Sequence, residues 1–246
     1  MLSTSLLVAL SAAFLAGSVS GLTGFGFALI NVPLLLFVYD PATVVSLTAV
    51  LSIAINLTIV WDSWRDAQKQ LVLALLPPAF LGTAAGVEVL WVVNPVYIRL
   101  GAGIVVVIST LLLLREVRVP GAEAWWGTVV AGSASGVLST STGLAGPPIV
   151  LLFASRGLPK HAFRGSSALY FLIMSLVGLA ALVLRGLMGV GHLPLALALI
   201  PAAFLGKLIG TTLLTRVSEN TFRKTILGVT LLAGALGAAT AVRALV

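Results

Sequence analysis

The chain contains no cysteine among its 246 residues. This absence excludes disulfides, thiolate metal ligands and cysteine nucleophiles. Histidine is almost as scarce, because the sequence holds only His161 and His192, which are about thirty residues apart. A metal cluster is therefore not expected. We expect neither a metal nor another cofactor.

Charge is also scarce. Charged residues make up 9% of the chain and hydrophobic residues 59%, whereas a soluble domain carries roughly 25% charged residues. No nucleophile triad or phosphate loop is present, so we do not expect an enzyme. The seven acidic residues lie near loops, which argues against a carboxylate proton relay, a sodium site or an aspartyl protease. The expected solvent is the lipid bilayer.

The net charge of +7 does not indicate a nucleic-acid partner. Lysine and arginine lie almost entirely in short loops between apolar runs, and no basic stripe alternates with aromatic residues. The first apolar stretch, 6–16, lacks the preceding positive charge of a secretory signal. We therefore interpret this stretch as part of the fold.

The chain repeats itself. Gly17-Ser18-Val19-Ser20-Gly21 recurs as Gly132-Ser133-Ala134-Ser135-Gly136 at an offset of 115, and a block at 77–86 recurs at 201–210 at an offset of 124. Two gapless blocks in one order predict a tandem repeat. The expected units are an N-terminal repeat, a linker and a C-terminal repeat, at 1–115, 116–121 and 122–246.

The apolar segments predict an all-α integral membrane protein with about ten membrane segments. Six are long enough to span, since about 20 residues at 1.5 Å rise cross the hydrocarbon core. The other four form two pairs, each split by a glycine-containing break, which we interpret as hairpins over 4–38 and 123–155. The segments are 4–20, 24–38, 42–61, 70–91, 96–114, 123–138, 144–155, 164–184, 193–214 and 222–242.

The positions of the basic residues indicate how these segments cross the membrane. If both pairs are hairpins, ten of the fourteen basic residues lie on one side, whereas single crossings split the loop charges six against seven. The positive-inside rule favours hairpins. Each half then crosses an odd number of times, so the halves are inverted. Both termini are predicted to be periplasmic, the linker 116–121 cytoplasmic, and the two tips to face each other near the midplane.

The two breaks are the predicted binding site. Irregular backbone persists at membrane depth only where protein or water surrounds it. A new helix begins after each break, and helix N-termini bind anions. The alternative is that glycine and serine only let helices pack closely. The candidate ligands are Thr23, Gly24, Phe25 and Gly26 in the first tip, and Ser139, Thr140, Ser141, Thr142 and Gly143 in the second.

Two cations are candidates for supplying positive charge to this site. Lys207 lies within a predicted span that holds no acidic residue, where a central lysine costs roughly 2.5–3.5 kcal/mol. Contact with an anion would explain it, and snorkelling to the interface is the alternative. Arg164 opens the span after the second hairpin and is equally explained as a topology charge. Asn31 and Asn56 are interpreted as hydrogen-bonding between helices.

The first break carries a family resemblance. Gly-Leu-Thr-Gly-Phe-Gly-Phe-Ala at 21–28 and Asn-Val-Pro-Leu-Leu at 31–35 resemble the signature of the TauE/SafE sulfite exporter family, with a second copy at 136–150. The resemblance implies a bacterial inner-membrane transporter, usually an exporter, of sulfite, sulfoacetate or related C2–C3 organosulfonates. Many members have a glycine-rich second break, whereas this chain has Ser-Thr-Ser-Thr-Gly. That difference suits a sulfonate, whose three oxygens accept hydrogen bonds, and leaves the exact anion open.

The expected function is transport of a small sulfur oxyanion by alternating access around the two tips. A channel-like anion conductor and a non-transporting membrane scaffold or receptor are the alternatives. The expected partners are the anion and the lipid bilayer. The sequence leaves open the direction of transport, the coupling ion and whether the chain forms a homodimer.

Overall fold

The computed structural model describes residues 4–213 of the chain, apart from 116 and 118. This part folds into nine α-helices and a single 3₁₀ turn at Val190–His192. The helices are α1 (Thr4–Thr23), α2 (Phe27–Leu35), α3 (Pro41–Ser63), α4 (Lys69–Val92), α5 (Pro95–Leu114), α6 (Trp125–Ser141), α7 (Gly146–Ser155), α8 (Lys160–Leu184) and α9 (Leu193–Leu213).

Nine of the ten predicted segments correspond to these helices, and the tenth, 222–242, lies outside the described residues. Six described helices are long and apolar enough to cross a bilayer, namely α1, α3, α4, α5, α8 and α9. The helix α1 is one of them, although its sequence predicted one limb of a hairpin rather than a full span. The described part therefore has the composition of a multi-pass membrane protein.

Both predicted breaks occur at left-handed glycines. Gly24 has φ +75° and Gly26 has φ +89°, and these residues separate α1 from α2. Gly143 has φ +80° and lies between α6 and α7. Residues with a Cβ rarely adopt such backbone angles, so glycine allows the chain to leave one helix and start another within three or four residues.

A capped start fixes α3 after the first hairpin. The carboxylate of Asp40 accepts a 3.0 Å hydrogen bond from the backbone N–H of Thr43, and Pro41 occupies the first helical position. Both features favour initiation of a helix. The same N-terminal half of α3 contributes Leu47 and Leu51 to a buried core shared by α1, α2, α3 and α9.

The helices α1 and α9 pack backbone against backbone. A Cβ placed on Gly17 would lie 2.0 Å from the carbonyl oxygen of Ala203, and one on Gly21 would lie 2.4 Å from that of Lys207. These contacts advance by four residues in the same direction on both helices, so α1 and α9 are parallel. Small residues at four-residue spacing permit such close approach in membranes.

The helices α6 and α4 form an equivalent parallel pair. A Cβ on Gly132 would lie 2.8 Å from the carbonyl oxygen of Leu75, and one on Gly136 would lie 2.0 Å from that of Ala79. Each pair joins the first limb of one hairpin to a long helix of the other half of the chain. The two halves are therefore interleaved.

The two pairs differ in register. Under the sequence offsets of 115 and 124, Gly17 corresponds to Gly132 and Ala203 corresponds to Ala79. Gly17 contacts Ala203, whereas Gly132 contacts Leu75, which is four residues before Ala79. Four residues are about one helical turn, or roughly 5–6 Å. The α6–α4 pair is thus displaced by about one turn relative to the α1–α9 pair.

The helices α3 and α8 pack antiparallel between these pairs. The backbone N–H of Gln68, just after α3, donates a 2.8 Å hydrogen bond to Ser166 Oγ near the start of α8. A Cβ on Gly165 would lie 2.6 Å from the carbonyl oxygen of Ser63, the last residue of α3. The end of α3 therefore meets the beginning of α8, and these two helices form the walls that frame the site.

Candidate functional site

A cavity of about 660 Å³, including its open mouth, lies among the two breaks and the helices α3 and α8. The first hairpin contributes Phe25, Gly26 and the first turn of α2 to its lining. The second hairpin contributes Ser139, Thr140, Gly143 and Gly146.

The tips border different parts of this cavity. A Cβ on Gly24 would lie 2.5 Å from Arg164 Cγ, at the start of α8, and a Cβ on Gly178 would lie 3.3 Å from Thr140 Cγ2. The positions 164 and 178 are about 21 Å apart at 1.5 Å per residue. Gly24 and Thr140 therefore lie at different levels of α8, and the expectation that the tips face each other near the midplane stays a prediction.

The first tip presents a helix N-terminus to the cavity. Gly26 precedes α2, no side chain caps this end, and Phe27, Ala28 and Leu29 line the cavity. The first N–H groups of a helix have no intrahelical acceptor and carry partial positive charge. Thr23 serves the turn itself, since its hydroxyl oxygen accepts a 3.2 Å hydrogen bond from the N–H of Phe25.

The second tip offers fewer backbone donors than the sequence interpretation assumed. The helix α7 begins Gly146-Pro147-Pro148, and proline has no N–H. Two of the first three positions of this helix therefore supply no donor. The pattern is plain in the sequence, and it leaves the N-terminus of α2 with more free N–H groups than that of α7.

The hydroxyls of the second tip have different surroundings. Thr140 Oγ1 donates to the Thr83 carbonyl at 2.9 Å, and Ser141 and Thr142 donate to carbonyls one turn back in α6 at 2.7 and 2.9 Å. Ser139 lines the cavity and makes no hydrogen bond to another described residue. Among these four hydroxyls, that of Ser139 is the most available to a ligand.

The two predicted cations lie beside the first tip. Lys207 is 6% exposed, and its Nζ donates a 2.7 Å hydrogen bond to Thr58 Oγ1. The aliphatic part of Arg164 lies against Gly24. Neither cation lines the cavity, whose described lining contains no charged side chain. Any effect of these cations on a ligand in the cavity would act through space.

A polar face of α3 was missed by the sequence interpretation. Thr48, Ser52 and Asn56 line the cavity at four-residue spacing, which places them on one face of a helix. Asn56 is 5% exposed and makes no hydrogen bond within the described part of the chain. Asn31 does link two helices, as expected, because its Nδ2 donates a 2.9 Å hydrogen bond to Thr48 Oγ1. The spacing was visible in the sequence, but it did not reveal what the face meets.

The six long apolar helices of the described residues support a multi-pass membrane protein, with the cavity lying among its broken helices. The family model for the sulfite exporter TauE/SafE matches residues 9–236, and the chain belongs to this family. The match confirms the family resemblance of the sequence, and the family is one of transporters rather than enzymes. No curated protein and no solved structure matches the chain.

Proposed function

We propose that this protein exports small sulfur oxyanions across the bacterial inner membrane by alternating access around the cavity. The substrates are sulfite or C2–C3 organosulfonates such as sulfoacetate. The observation that carries the proposal is the cavity itself, which both breaks border and which backbone donors, hydroxyls and an amide line. Membership of the sulfite exporter family supports the same substrate class.

The chemistry of the lining suits an anion. An oxyanion that leaves water must regain its hydrogen bonds from the protein, because an unsatisfied charge in a low-dielectric region is costly. The N–H groups at the start of α2 and the hydroxyl of Ser139 can supply such bonds. Lys207 and Arg164 add positive charge near the first tip without occupying the cavity.

The architecture we propose is two inverted repeats with ten membrane segments, both termini periplasmic and the linker 116–121 cytoplasmic. The antiparallel packing of α3 against α8 supports inversion, since these helices follow the hairpins of the two halves. The two parallel pairs, α1 with α9 and α6 with α4, support it as well. A topology reporter at residue 246 tests this arrangement, and a cytoplasmic signal would contradict it.

Transport is tested with purified protein in liposomes. Labelled sulfite should be taken up with saturation, and sulfoacetate trapped on the opposite side should accelerate uptake, because a carrier returns faster when loaded. A channel-like conductor would give flux without this acceleration. Protein-free liposomes provide the background. A protein that neither binds nor moves any sulfur oxyanion would contradict the proposal and favour a scaffold or receptor.

A further inference from the structure

Asn56 is a polar residue that the fold itself does not explain. Its side chain is 5% exposed in the middle part of the long apolar helix α3, yet it makes no hydrogen bond to another described residue. Its amide atoms are open to the cavity rather than enclosed by protein. The same side chain lines the cavity. A hydrogen-bonding ligand in the cavity would complete its bonds.

The packing of α2 on α3 places Asn56 beside a helix N-terminus. The 2.9 Å hydrogen bond from Asn31 to Thr48 fixes the level of α2 against α3. A short loop joins these helices, so they run antiparallel, and the first turn of α2 lies level with residues 49–52. Asn56 lies about one turn, or roughly 6 Å, beyond the N-terminus of α2, on the side to which its free N–H groups point. The free N–H groups of that turn and the Asn56 amide therefore face one region of the cavity.

The opposite wall contributes a hydroxyl. The helices α3 and α8 are antiparallel and are tied at one end by Gln68 and Ser166. Counting along both helices from the contact between Ser63 and Gly165 places Ser175 across from about residue 53, within one turn of Asn56, and Ser175 also lines the cavity. Ser175 makes no hydrogen bond within the described part of the chain. Three neutral groups of donor character thus surround the same space.

We propose that Asn56, the first turn of α2 and Ser175 form the oxyanion contact, a neutral donor site for a fully deprotonated sulfonate or sulfite. The inference rests on the proposed function and adds the residues that set its specificity. The N–H groups of α2 only donate, and the amide adds two further donor hydrogens. A sulfonate offers three acceptor oxygens and no proton. Among these groups, the O–H of hydrogen phosphate can be accepted by Asn56 Oδ1 or the Ser175 hydroxyl oxygen, and turning Asn56 Oδ1 toward the ligand turns its two donor hydrogens away, so hydrogen phosphate should bind more weakly.

The test is binding of sulfoacetate to purified full-length protein, with inorganic phosphate as the comparison anion. We expect Asn56→Leu to weaken sulfoacetate binding at least tenfold. Its thermal midpoint without ligand should stay unchanged or rise, because the amide that it replaces has no protein partner. If the Asn56 amide had only a structural role, Asn56→Leu would lower the thermal midpoint and leave the affinity for sulfoacetate unchanged. Phosphate should bind at least tenfold more weakly than sulfoacetate to the unmodified protein.

Thr110→Val is the matched control. Thr110 is a buried polar residue in α5, its hydroxyl donates to the Val106 carbonyl at 2.7 Å, and it does not line the cavity. Its substitution should leave binding within twofold. If Asn56→Leu does not fold, Asn56→Asp, which keeps the size and removes the donors, replaces it.

The outcomes separate the two proposals. Sulfoacetate binding within twofold of the unmodified protein in the Asn56 variant overturns the assigned contact and leaves the transport proposal standing. Equal binding of phosphate and sulfoacetate overturns the selectivity. A protein that binds neither sulfite nor sulfoacetate overturns both proposals.

Discussion

Lys207 Nζ donates a 2.7 Å hydrogen bond to Thr58 Oγ1, which ties α9 in the second half of the chain to α3 in the first. The ammonium also lies 5.7 Å from the centre of the Phe204 ring. These contacts hold the cation beside the first tip, where Gly21 packs against its backbone. Lys207 is thus a fixed charge outside the cavity.

Replacing Lys207 tests what this charge does. Lys207→Met should lower sulfoacetate affinity about threefold to tenfold, because it removes positive charge near the first tip. The thermal midpoint should change little, since the lost hydrogen bond is offset by removal of a buried charge. Binding and thermal unfolding measure the two effects. Lys207→Arg retains the charge and is the control. Unchanged affinity in Lys207→Met would mean that Lys207 contributes to helix packing and not to anion binding.

Two serines of the second tip give a paired prediction. Ser139→Ala should lower affinity about threefold or more, because the hydroxyl of Ser139 lines the cavity without a described protein partner. Ser141→Ala should have a smaller effect, since the hydroxyl of Ser141 donates to the Val137 carbonyl at 2.7 Å. Binding titrations with sulfoacetate compare the two. The reverse order would show that the second tip rearranges when it binds the anion.

The close approach of α6 and α4 predicts intolerance of one added methyl group. Gly136→Ala places a Cβ 2.0 Å from the Ala79 carbonyl oxygen, so the helices must move apart. Overpacking costs about 1–3 kcal/mol, and the thermal midpoint should fall by several degrees.

Gly101→Ala in α5 is the control for that change, because a Cβ there meets nothing within 4 Å. Alanine favours helices over glycine by roughly 0.5–1 kcal/mol, so the midpoint should be unchanged or slightly higher. Equal midpoints for the two variants would mean that α6 and α4 are not in contact.

The cap of α3 predicts a pH dependence of stability. Burial tends to raise the pKa of Asp40, but hydrogen bonds from Thr43 outweigh it and hold the pKa below its ordinary value of 3.8. Folding therefore favours the carboxylate. Its contribution to the free energy of unfolding is fully present above that ordinary value and is lost as the pH falls through the lower folded value.

Asp40→Asn isolates this contribution, because asparagine caps a helix about as well as aspartate and does not titrate. Below about pH 4, the thermal midpoint of the unmodified protein should fall more steeply than that of Asp40→Asn. His192, whose Nε2 lies 3.3 Å from Thr43 Oγ1, is the same in both proteins. Parallel pH profiles would argue against the carboxylate cap.

Sequence reasoning located the helices well because glycine and apolar runs act locally. The break that contains Gly24 and Gly26, for example, follows from the backbone angles that glycine permits. The surroundings of Asn56 depend on which face of α3 meets α8, a contact between residues more than a hundred positions apart. The donors of α7 were misjudged for a simpler reason. Pro147 and Pro148 stand in the sequence, and they remove two of the N–H groups that a helix N-terminus would otherwise offer.

The sequence also could not reveal the register of the helix pairs. The helices that contain Gly17 and Gly132 have small residues at four-residue spacing. This spacing permits close packing in either of two registers that are one turn apart. Only the packed chain distinguishes contact with Ala203 from contact with Leu75.

Under the proposed inverted arrangement, that displacement of one turn bears on the direction in which a substrate would leave. A perfectly symmetric pair of inverted halves would present identical faces to the two sides of a membrane, so its binding site would be equally open or closed to both. A step of roughly 5–6 Å between otherwise matching helix pairs makes the two faces unequal. In such a molecule, the packing register of the two halves determines to which side of the membrane the site opens. Exchanging the two registers would reverse that side.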